Sequence, residues 1–260
     1  MRFDLFTLFP DYFHGPFSSS ILKRAQESGV LQIGLHNIRD WTSDRHHVCD
    51  DAPYGGGAGM VMKAEPLAAA VESVLEYEAG DAANPQSPPC PVIFLSPHGR
   101  TLTHQVALEL SQQPRIALLC GHYEGVDERV LDLVATDAIS VGDYVLTGGE
   151  PAAAVLVDCI ARLLPGVLGN ESSTQNESFA DGLLEAPQYT RPASWRGFDV
   201  PPILTGGNHG EVNRWRLRAG FIKTLQHRPD LLDALLYSDR LNADELDILG
   251  QVLCDSARIG

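Results

Sequence analysis

The sequence predicts an α/β domain built on a mostly parallel sheet, followed by a smaller helical domain. Short apolar runs alternate with helical patterns over the first 165 residues, which is typical of layered α/β domains. Beyond Gly210 the pattern is only helical. The 260 residues are 44% hydrophobic, so the chain can form a packed core and is not generally disordered.

The individual elements follow from apolar periodicity and from Pro, Gly and Asn at the breaks. Strands are predicted at 3–9, 31–38, 92–95, 115–120 and 138–141. Helices between and after them are predicted at 12–28, 66–78, 106–112, 126–134 and 152–164, and then at 211–226, 231–237 and 243–257. Residues 168–181 are polar without a strand pattern, and such long loops are usually functional or disordered. We therefore predict a first domain at 1–168, a flexible linker and active-site loop at 169–182, and a helical domain at 183–260.

Charge and cysteine content exclude several functional classes. Nineteen Lys and Arg against 34 Asp and Glu give a net charge of −15, which excludes a uniformly basic nucleic-acid-binding surface. An RNA partner must therefore contact local Arg patches. The five cysteines form no CxxC pair and no close Cys/His cluster, so we expect neither a structural zinc site nor a disulfide framework, as in a reducing cytosol.

The sequence predicts neither secretion nor membrane insertion. Its first residues, MRFDLFTLFPDYF, lack the layout of a signal peptide. The most apolar region, residues 152–168, is interrupted by Asp158, Arg162 and Pro165. We therefore expect a cytoplasmic protein without a membrane span.

Three predicted strands are each followed by a loop of small residues with a Tyr or an acid nearby. These loops begin LSPHG at Leu95, CGHYEGVD at Cys120 and SVGDYVLTGGE at Ser140. Ligands of open α/β sheets bind beyond the carboxyl ends of the strands. Such loops suit a flat heterocycle held by backbone groups. Because no phosphate-binding signature is present, a nucleoside-like cofactor fits better than a nucleoside triphosphate.

A separate segment at 51–60, DAPYGGGAGM, holds four glycines in five residues. It lacks the Gly-Lys-Ser/Thr of a P-loop, and no strand leads directly into it as in a dinucleotide fingerprint. The glycines favour either close backbone approach to another group or unusual backbone angles. A flexible turn is the alternative.

Cationic and acidic side chains supply further candidates. Arg clusters beside an aromatic ring suit phosphate contact and base stacking, although a solvated helix face is the alternative. The cationic groups are Arg39, Arg45, His46 and His47 in one segment, and Arg214, Arg216, Arg218 and Lys223 around Trp215. Arg162 ends an apolar helix, so we expect it near a buried or interface edge with an anionic partner. In the polar loop, Glu171, Glu177 and Asp181 are candidate proton acceptors, or simply surface acids.

Taken together, the motifs resemble the bacterial tRNA (guanine-N1)-methyltransferase family, of the knotted SPOUT class. The resemblance runs in unbroken order from Phe3 to about Arg218, four-fifths of the chain. It is carried by DDAPYGGGAGM, IFLSPHGR, LLCGHYEGVDERV, ISVGDYVLTGGE, PGVLGNES, ESFADGLLEAPQYTRP and GNHGEVNRWR. The resemblance implies an α/β fold with a SPOUT-type parallel sheet, a deep trefoil knot and a small all-helical C-terminal domain.

The same resemblance implies an activity. The family transfers a methyl group from S-adenosylmethionine to N1 of the guanosine immediately 3′ of the tRNA anticodon, preferring a preceding guanosine. This modification supports maintenance of the reading frame. The family requires Mg²⁺ for turnover and works as a homodimer with each active site at the subunit interface.

Matching positions imply the site residues. Arg162 matches the arginine that steadies the target guanine, and Glu177 stands where the family usually has an aspartate as general base. Asp181 and Glu185 are alternative bases. Glu124 faces either the ammonium group of the donor or magnesium. The implied donor-binding residues are Leu95, Ser96, Pro97, Gly121, Tyr123, Glu124, Gly125, Ser140, Val141, Gly142, Tyr144, Leu146, Gly148 and Gly149.

Three other functions remain open at this stage. Because Glu177 replaces an aspartate, the chain could be an RNA-binding protein that keeps the knot without catalysis. A ribose methyltransferase of the same class is disfavoured, because such enzymes lack YGGGAGM and YTRP together. A dinucleotide-dependent oxidoreductase is the weakest alternative, because the glycine fingerprint is missing.

Overall fold

The structure, a computed structural model, describes residues 1–169 and 177–256. The chain divides into two compact units, Met1–Gly169 and Asn170–Gly260. Half of the predicted loop at 169–182, including Glu171, lies outside the described residues.

A five-stranded sheet forms the centre of the first unit. Its strand order is β2-β1-β6-β5-β7, and all four pairings are parallel. The short strands β3 and β4 form a separate antiparallel pair. The strands of this unit are β1 (Arg2–Thr7), β2 (Gln32–Asn37), β3 (Asp50–Asp51), β4 (Val61–Met62), β5 (Val92–Thr101), β6 (Arg115–Cys120) and β7 (Asp137–Ser140).

Helices cover both faces of this sheet because its strands are apolar on both sides. Along β6, Ile116 and Leu118 pack into one core cluster, and Ala117 and Leu119 pack into the other. The first cluster includes residues of α1, α2, α4 and α6, and the second includes residues of α3 and α5. The helices are α1 (His14–Phe17), α2 (Ser20–Glu27), α3 (Ala64–Leu75), α4 (His104–Ser111), α5 (Glu128–Val134) and α6 (Glu150–Ala161).

The helix predicted at 12–28 is divided into a 3-10 helix at Pro10–Phe13, α1 and α2. The hydroxyl groups of Ser18 and Ser19 donate hydrogen bonds to the carbonyl oxygens of His14 and Gly15. Serine side chains that bond to the backbone in this way compete with regular helix formation. Ser19 is extended (φ −125°, ψ 151°), so the chain turns before α2 begins.

Strand β5 continues six residues beyond its predicted end at Leu95, as far as Thr101. The extension was missed because SPHGR is polar and contains Pro and Gly, which are depleted in strands. The pairing with β7 shifts register between Leu95 and Arg100. Gly99 lies so close to the backbone of Ala138 and Ile139 that a Cβ atom there would overlap both.

The second unit is predominantly helical, as predicted. It contains a 3-10 helix at Pro202–Thr205, and helices α7 (His209–His227), α8 (Pro229–Leu236) and α9 (Ala243–Ser256). Their core is formed by Phe221, Leu232, Leu235, Ile248, Leu249 and Val252. Two short strands, β8 (Ser194–Trp195) and β9 (Phe198–Asp199), form an antiparallel pair that sequence periodicity did not indicate. Across the described ranges, no helix has the length and apolar character needed to cross a membrane.

A buried ionic network joins three neighbouring strands of the first unit. The Asp4 carboxylate of β1 is fully buried and accepts hydrogen bonds from Arg2 and Arg115 at 2.7 and 2.8 Å. Its Oδ1 atom lies 2.7 Å from His36 Nε2 on β2. Burial by itself would raise the pKa of Asp4, but the bonds from His36, Arg2 and Arg115 outweigh it and lower that pKa. Gly34 on β2 pairs with Asp4 and leaves room for its carboxylate, since a Cβ atom on Gly34 would lie 2.6 Å from Asp4 Oδ1.

Replacing Asp4 with Asn should destabilise the first unit by about 3 kcal/mol, because Arg2 and Arg115 would lose their buried anionic partner. Both arginines are partly exposed, which keeps the loss at the lower end of that for a broken buried ion pair. The folded state binds the Asp4 proton less tightly than the unfolded state, whose pKa is about 3.9. The Asp4 carboxylate therefore contributes its full stabilisation of the folded state at neutral pH, and this stabilisation declines as the pH falls below about 4.

Urea unfolding of the wild type and Asp4→Asn from pH 7 to pH 3 measures this difference. The exposed Asp11 provides a control, since Asp11→Asn should change stability by no more than about 0.5 kcal/mol. A gap between wild type and Asp4→Asn that stayed constant with pH would contradict the assigned role of the carboxylate.

Candidate active site

A cavity of about 210 Å³ lies at the carboxyl ends of β5, β6 and β7. All of the donor-binding residues implied by the sequence line it, from Leu95 to Gly149. Its lining also includes residues that were not predicted, namely Phe94, His122, Ile139, Val145, Thr147 and Ala152. Three of them, His122, Val145 and Thr147, lie between predicted residues on the same loops, and Phe94 and Ile139 directly precede predicted residues on β5 and β7. Ala152 comes instead from the first turn of α6.

Two of the loops are in direct backbone contact. The amide of Gly149 donates a hydrogen bond to the carbonyl oxygen of Gly121 at 2.8 Å. A Cβ atom on Gly149 would lie 2.7 Å from Cys120 Cα, and one on Gly121 would lie 3.0 Å from the Phe94 ring. Glycine at 149 therefore allows α6 to begin directly against the end of β6.

The third loop, after β7, is folded on itself at the cavity. The Ser140 hydroxyl donates to the carbonyl oxygen of Gly142 at 3.0 Å, and the Tyr144 hydroxyl donates to that of Val141 at 3.1 Å. Gly142 has φ +149°, a conformation that disfavours other residues. Tyr144, Val145 and Leu146 remain exposed, so the loop presents apolar surface around the cavity.

The glycine-rich segment at 51–60 packs against the loop after β6. Glu124 and Gly125 exchange backbone hydrogen bonds with Met60 and Met62 at 3.0 and 2.9 Å. Gly59 has φ +84° and lies against the Glu124 side chain, where any Cβ atom would overlap it. Both features expected of these glycines, close approach to another group and an unusual backbone angle, are therefore present at Gly59.

Buried polar groups support the cavity from below. Glu150, the first residue of α6, is buried and accepts a hydrogen bond of 2.6 Å from the Thr7 hydroxyl at the end of β1. Burial raises the pKa of the neighbouring Cys120 thiol well above its ordinary value, and the charge of Glu150 adds to this effect. Cys120 therefore stays protonated at neutral pH and is unsuited to act as a nucleophile.

The two predicted catalytic residues lie on different units. Arg162 is half-buried at the carboxyl end of α6, whereas the cavity is at the amino end of that helix. Twelve residues of helix separate Glu150 from Arg162, which corresponds to about 18 Å. Arg162 consequently does not line the cavity of its own chain.

Glu177 belongs to the second unit, where its carbonyl oxygen accepts the amide of Ala180 in a turn. Of the alternative bases, Asp181 is exposed. The Glu185 carboxylate accepts a hydrogen bond from the Gln188 amide. Because its carboxylate already has a hydrogen-bond partner, Glu185 is less suitable than Asp181 as the alternative base.

The candidate cations differ in their partners. Arg218 is paired with Asp255 at 2.7 Å, and Arg214 with Asp247 at 3.7 Å. Lys223 donates to the carbonyl oxygen of Glu185 at 3.1 Å. Within the described part of the chain, no group of three or more His, Cys, Asp or Glu side chains is placed to hold a metal ion.

A parallel α/β sheet with a glycine-lined cavity beyond its strand ends is typical of an enzyme that binds a nucleoside-like ligand. Comparison with known proteins defines the family. Residues 1–234 match the family model described as tRNA (Guanine-1)-methyltransferase TrmD. The chain therefore belongs to the tRNA (guanine-1)-methyltransferase family, which has the SPOUT fold, and it is a methyltransferase.

Similar proteins agree with this assignment over nearly their whole length. Proteins named tRNA (guanine-N(1)-)-methyltransferase from Geobacter sp. (strain M21) and Geotalea uraniireducens (strain Rf4) are each 55% identical to it. These matches cover 92% of both chains for the first, and 95% of this chain and 97% of the relative for the second. A protein of the same name from Chloroflexus aggregans is 53% identical, over 96% of this chain and 95% of its own. The resemblance predicted from the motifs is thus confirmed.

Adding a methyl group at Gly149 should strongly weaken donor binding in the cavity. In Gly149→Ala the new Cβ atom would meet backbone atoms of Cys120 and Gly121, which cannot move independently of β6. We expect S-adenosylmethionine affinity, measured by calorimetry, to fall at least ten-fold, on the scale of overpacking penalties.

Gly15→Ala is the matched control, because Gly15 has no heavy atom within 4 Å of its would-be Cβ. It should bind the donor as the wild type does. Thermal unfolding of both variants separates a local effect from loss of the fold. Normal donor affinity in Gly149→Ala would show that this close approach does not shape the binding site.

Proposed function

We propose that this protein transfers the methyl group of S-adenosylmethionine to N1 of the guanosine immediately 3′ of the anticodon in tRNA, and so supports reading-frame maintenance. The observation that carries the proposal is that one cavity gathers every donor-binding residue implied by the sequence, in a chain of this family. The five free cysteines fit action in the reducing cytoplasm, where tRNA is modified.

The donor is proposed to bind in the cavity formed by the three strand-end loops. Backbone groups of these loops would hydrogen-bond its adenine and ribose, and Phe94, Ile139 and Leu146 supply apolar surface. The exposed carboxylate of Glu124 would attract the positively charged ammonium group. The 2.8 Å contact between Gly149 and Gly121 supports the further proposal that these loops form the trefoil knot of the SPOUT class.

The chemical problem is that neutral guanine carries a proton on N1. We assign the removal of this proton to the Glu177 carboxylate. The resulting anion is delocalised onto O6, where the Arg162 guanidinium would stabilise the developing charge. When bound, S-adenosylmethionine supplies an electrophilic methyl group on a sulfonium ion. The electron pair of N1 forms the new N–C bond while the S–C pair remains on sulfur, so charge and atoms balance.

The position of Arg162 supports a homodimer. The cavity and Arg162 lie at opposite ends of α6, about 18 Å apart. A single guanine base is too small to contact both ends of this helix. We therefore propose that Arg162 of one protomer acts on the guanine at the cavity of its partner, in a two-fold symmetric dimer.

Magnesium is the second cofactor that the resemblance implies. Glu124 is the one carboxylate among the described residues that line the cavity, and Mg²⁺ is commonly held by one or two carboxylates together with substrate groups and water. The described side chains do not form a magnesium site by themselves. No step of the proposed mechanism passes through the metal.

Removing the proposed base should stop catalysis and leave binding intact. For Glu177→Ala we expect a fall of at least 10²-fold in the single-turnover methylation of tRNA, because neutral N1 is a poor nucleophile. Asp181→Asn is the matched control and should stay within about three-fold of the wild type. The measurement is quenched-flow transfer of labelled methyl, followed by mapping of the methylated position.

Each result has a distinct meaning. Unchanged turnover in Glu177→Ala with a loss in Asp181→Asn would move the base to Asp181. Methylation at a ribose hydroxyl, or none in the wild type, would reject the proposed reaction. Tight tRNA binding without any transfer would identify the non-catalytic alternative.

Mixed dimers test whether Arg162 acts across the interface. Neither Arg162→Ala nor Gly149→Ala should be active alone. A mixed dimer holds one complete site if Arg162 of one chain serves the partner's cavity, so random mixing should restore roughly a quarter of wild-type activity. Absence of any restoration in mixed dimers that form, or a strictly monomeric wild type, would contradict the proposed arrangement.

A further inference from the structure

A second pocket, of about 400 Å³, lies entirely within the second unit. It is enclosed by the segment at 187–193, by the 3-10 helix at Pro202–Thr205 and by the first turns of α7. Its side chains include Tyr189, Arg191, Leu204, Val212, Trp215 and Arg216. We call this the Trp215 pocket. Its volume is within the range of small-ligand sites.

The spacing of residues on α7 separates the pocket from the rest of the arginine cluster. Val212, Trp215 and Arg216 stand at i, i+3 and i+4, so they share one face of the helix, and all three line the pocket. Arg214 and Arg218 also stand four apart, and both are paired with acids of α9. The helix thus presents one arginine to the pocket and two to its neighbour.

The pocket combines aromatic surface with positive charge. The Tyr189 and Trp215 rings are in contact, with centroids 6.3 Å apart and planes at 56°, and Tyr189 is 48% exposed. Arg191 and Arg216 are exposed, and neither has an ion-pair partner among the residues that the structure describes. Among the residues of this unit that the structure describes, no Asp or Glu lines the pocket. In a chain of net charge −15, such a site favours an anion.

We infer that the Trp215 pocket binds one unpaired nucleotide of the RNA substrate, with its base against Tyr189 and Trp215 and its phosphate between Arg191 and Arg216. Unpaired bases expose the flat faces that stack on aromatic rings, and arginine pairs with phosphate through two parallel bonds. Because the Tyr189 and Trp215 rings are tilted and in contact, a base cannot insert between them. The base of the nucleotide therefore packs on the outer faces of the two rings.

The role of this pocket is recognition, not chemistry. Its lining shares no residue with the cavity proposed for the methyl donor, and the described residues that line it include no carboxylate to accept a proton from guanine. Its nucleotide is therefore a different one from the guanosine that is methylated. The inference rests on the proposed function only in that the RNA is taken to be tRNA.

The test compares tRNA binding by the full-length protein with and without the pocket side chains. Fluorescence anisotropy is measured with labelled tRNA, at several salt concentrations, in the presence of S-adenosylhomocysteine so that no transfer occurs. Arg216→Gln and Trp215→Leu should each weaken binding on the order of ten-fold. Arg216→Gln should also lower the slope of log affinity against log salt by about one, whereas Trp215→Leu should not.

Arg218→Gln is the matched control, because it removes the same charge from the same helix where Arg218 is paired with Asp255. Its affinity should stay within about two-fold of the wild type. Trp215→Phe keeps an aromatic face and should recover most of the loss seen in Trp215→Leu. Equal effects of Arg216→Gln and Arg218→Gln, or normal affinity in Trp215→Leu, would overturn the inference.

Free guanosine 5′-monophosphate tests whether the pocket binds a nucleotide within RNA or a free nucleotide. We expect it to bind at least 100-fold more weakly than tRNA, since it makes only the contacts of a single nucleotide. Binding as tight as that of tRNA, lost in Arg216→Gln, would make the pocket a site for a free nucleotide and overturn the RNA assignment. Because these measurements are of binding, failure of N1 methylation in the wild type would reject the proposed function without deciding this inference.

Discussion

The close approach of backbone segments at the carboxyl ends of the sheet is the constraint on which the site depends. Gly149 can lie against Cys120, and its amide can reach the Gly121 carbonyl, only because it has no side chain. This contact places the start of α6 beside the loop after β6, with Glu150 buried beneath and held by Thr7. The cavity thus combines closely packed glycine backbone with apolar side chains such as Phe94 and Leu146, which suits the recognition of a flat heterocycle.

Helix α6 also separates functions that must meet on one substrate. Its amino end belongs to the donor cavity, and its carboxyl end holds Arg162 about 18 Å away. In the proposed arrangement, the two groups that contact one guanine come from two copies of the chain. The reason for this proposal is geometric, because a helix of fixed rise cannot bring its two ends together.

With the nucleotide site that we infer in the second unit, a protein of net charge −15 is directed to RNA at few points. Intramolecular pairs neutralise Arg214 and Arg218, which leaves Arg216 at the Trp215 pocket. An acidic body repels RNA in general, so the unneutralised arginines carry a large share of the attraction. This concentration of charge favours binding in one orientation over non-specific association.

The sequence by itself determined the strand–helix alternation, the family and fourteen of the twenty described residues that line the cavity, because each is encoded within short contiguous segments. Glu177 as the base stays a prediction. Only the tertiary structure decided the division of the helix at 12–28, the extension of β5, the network around Asp4 and the partners of the arginine cluster. The division of the helix is local, because Ser18 and Ser19 bond to carbonyl oxygens four residues earlier, a side-chain effect that apolar periodicity does not record. The other features depend on contacts between residues far apart in the chain, such as Asp4 with Arg115 or Arg218 with Asp255.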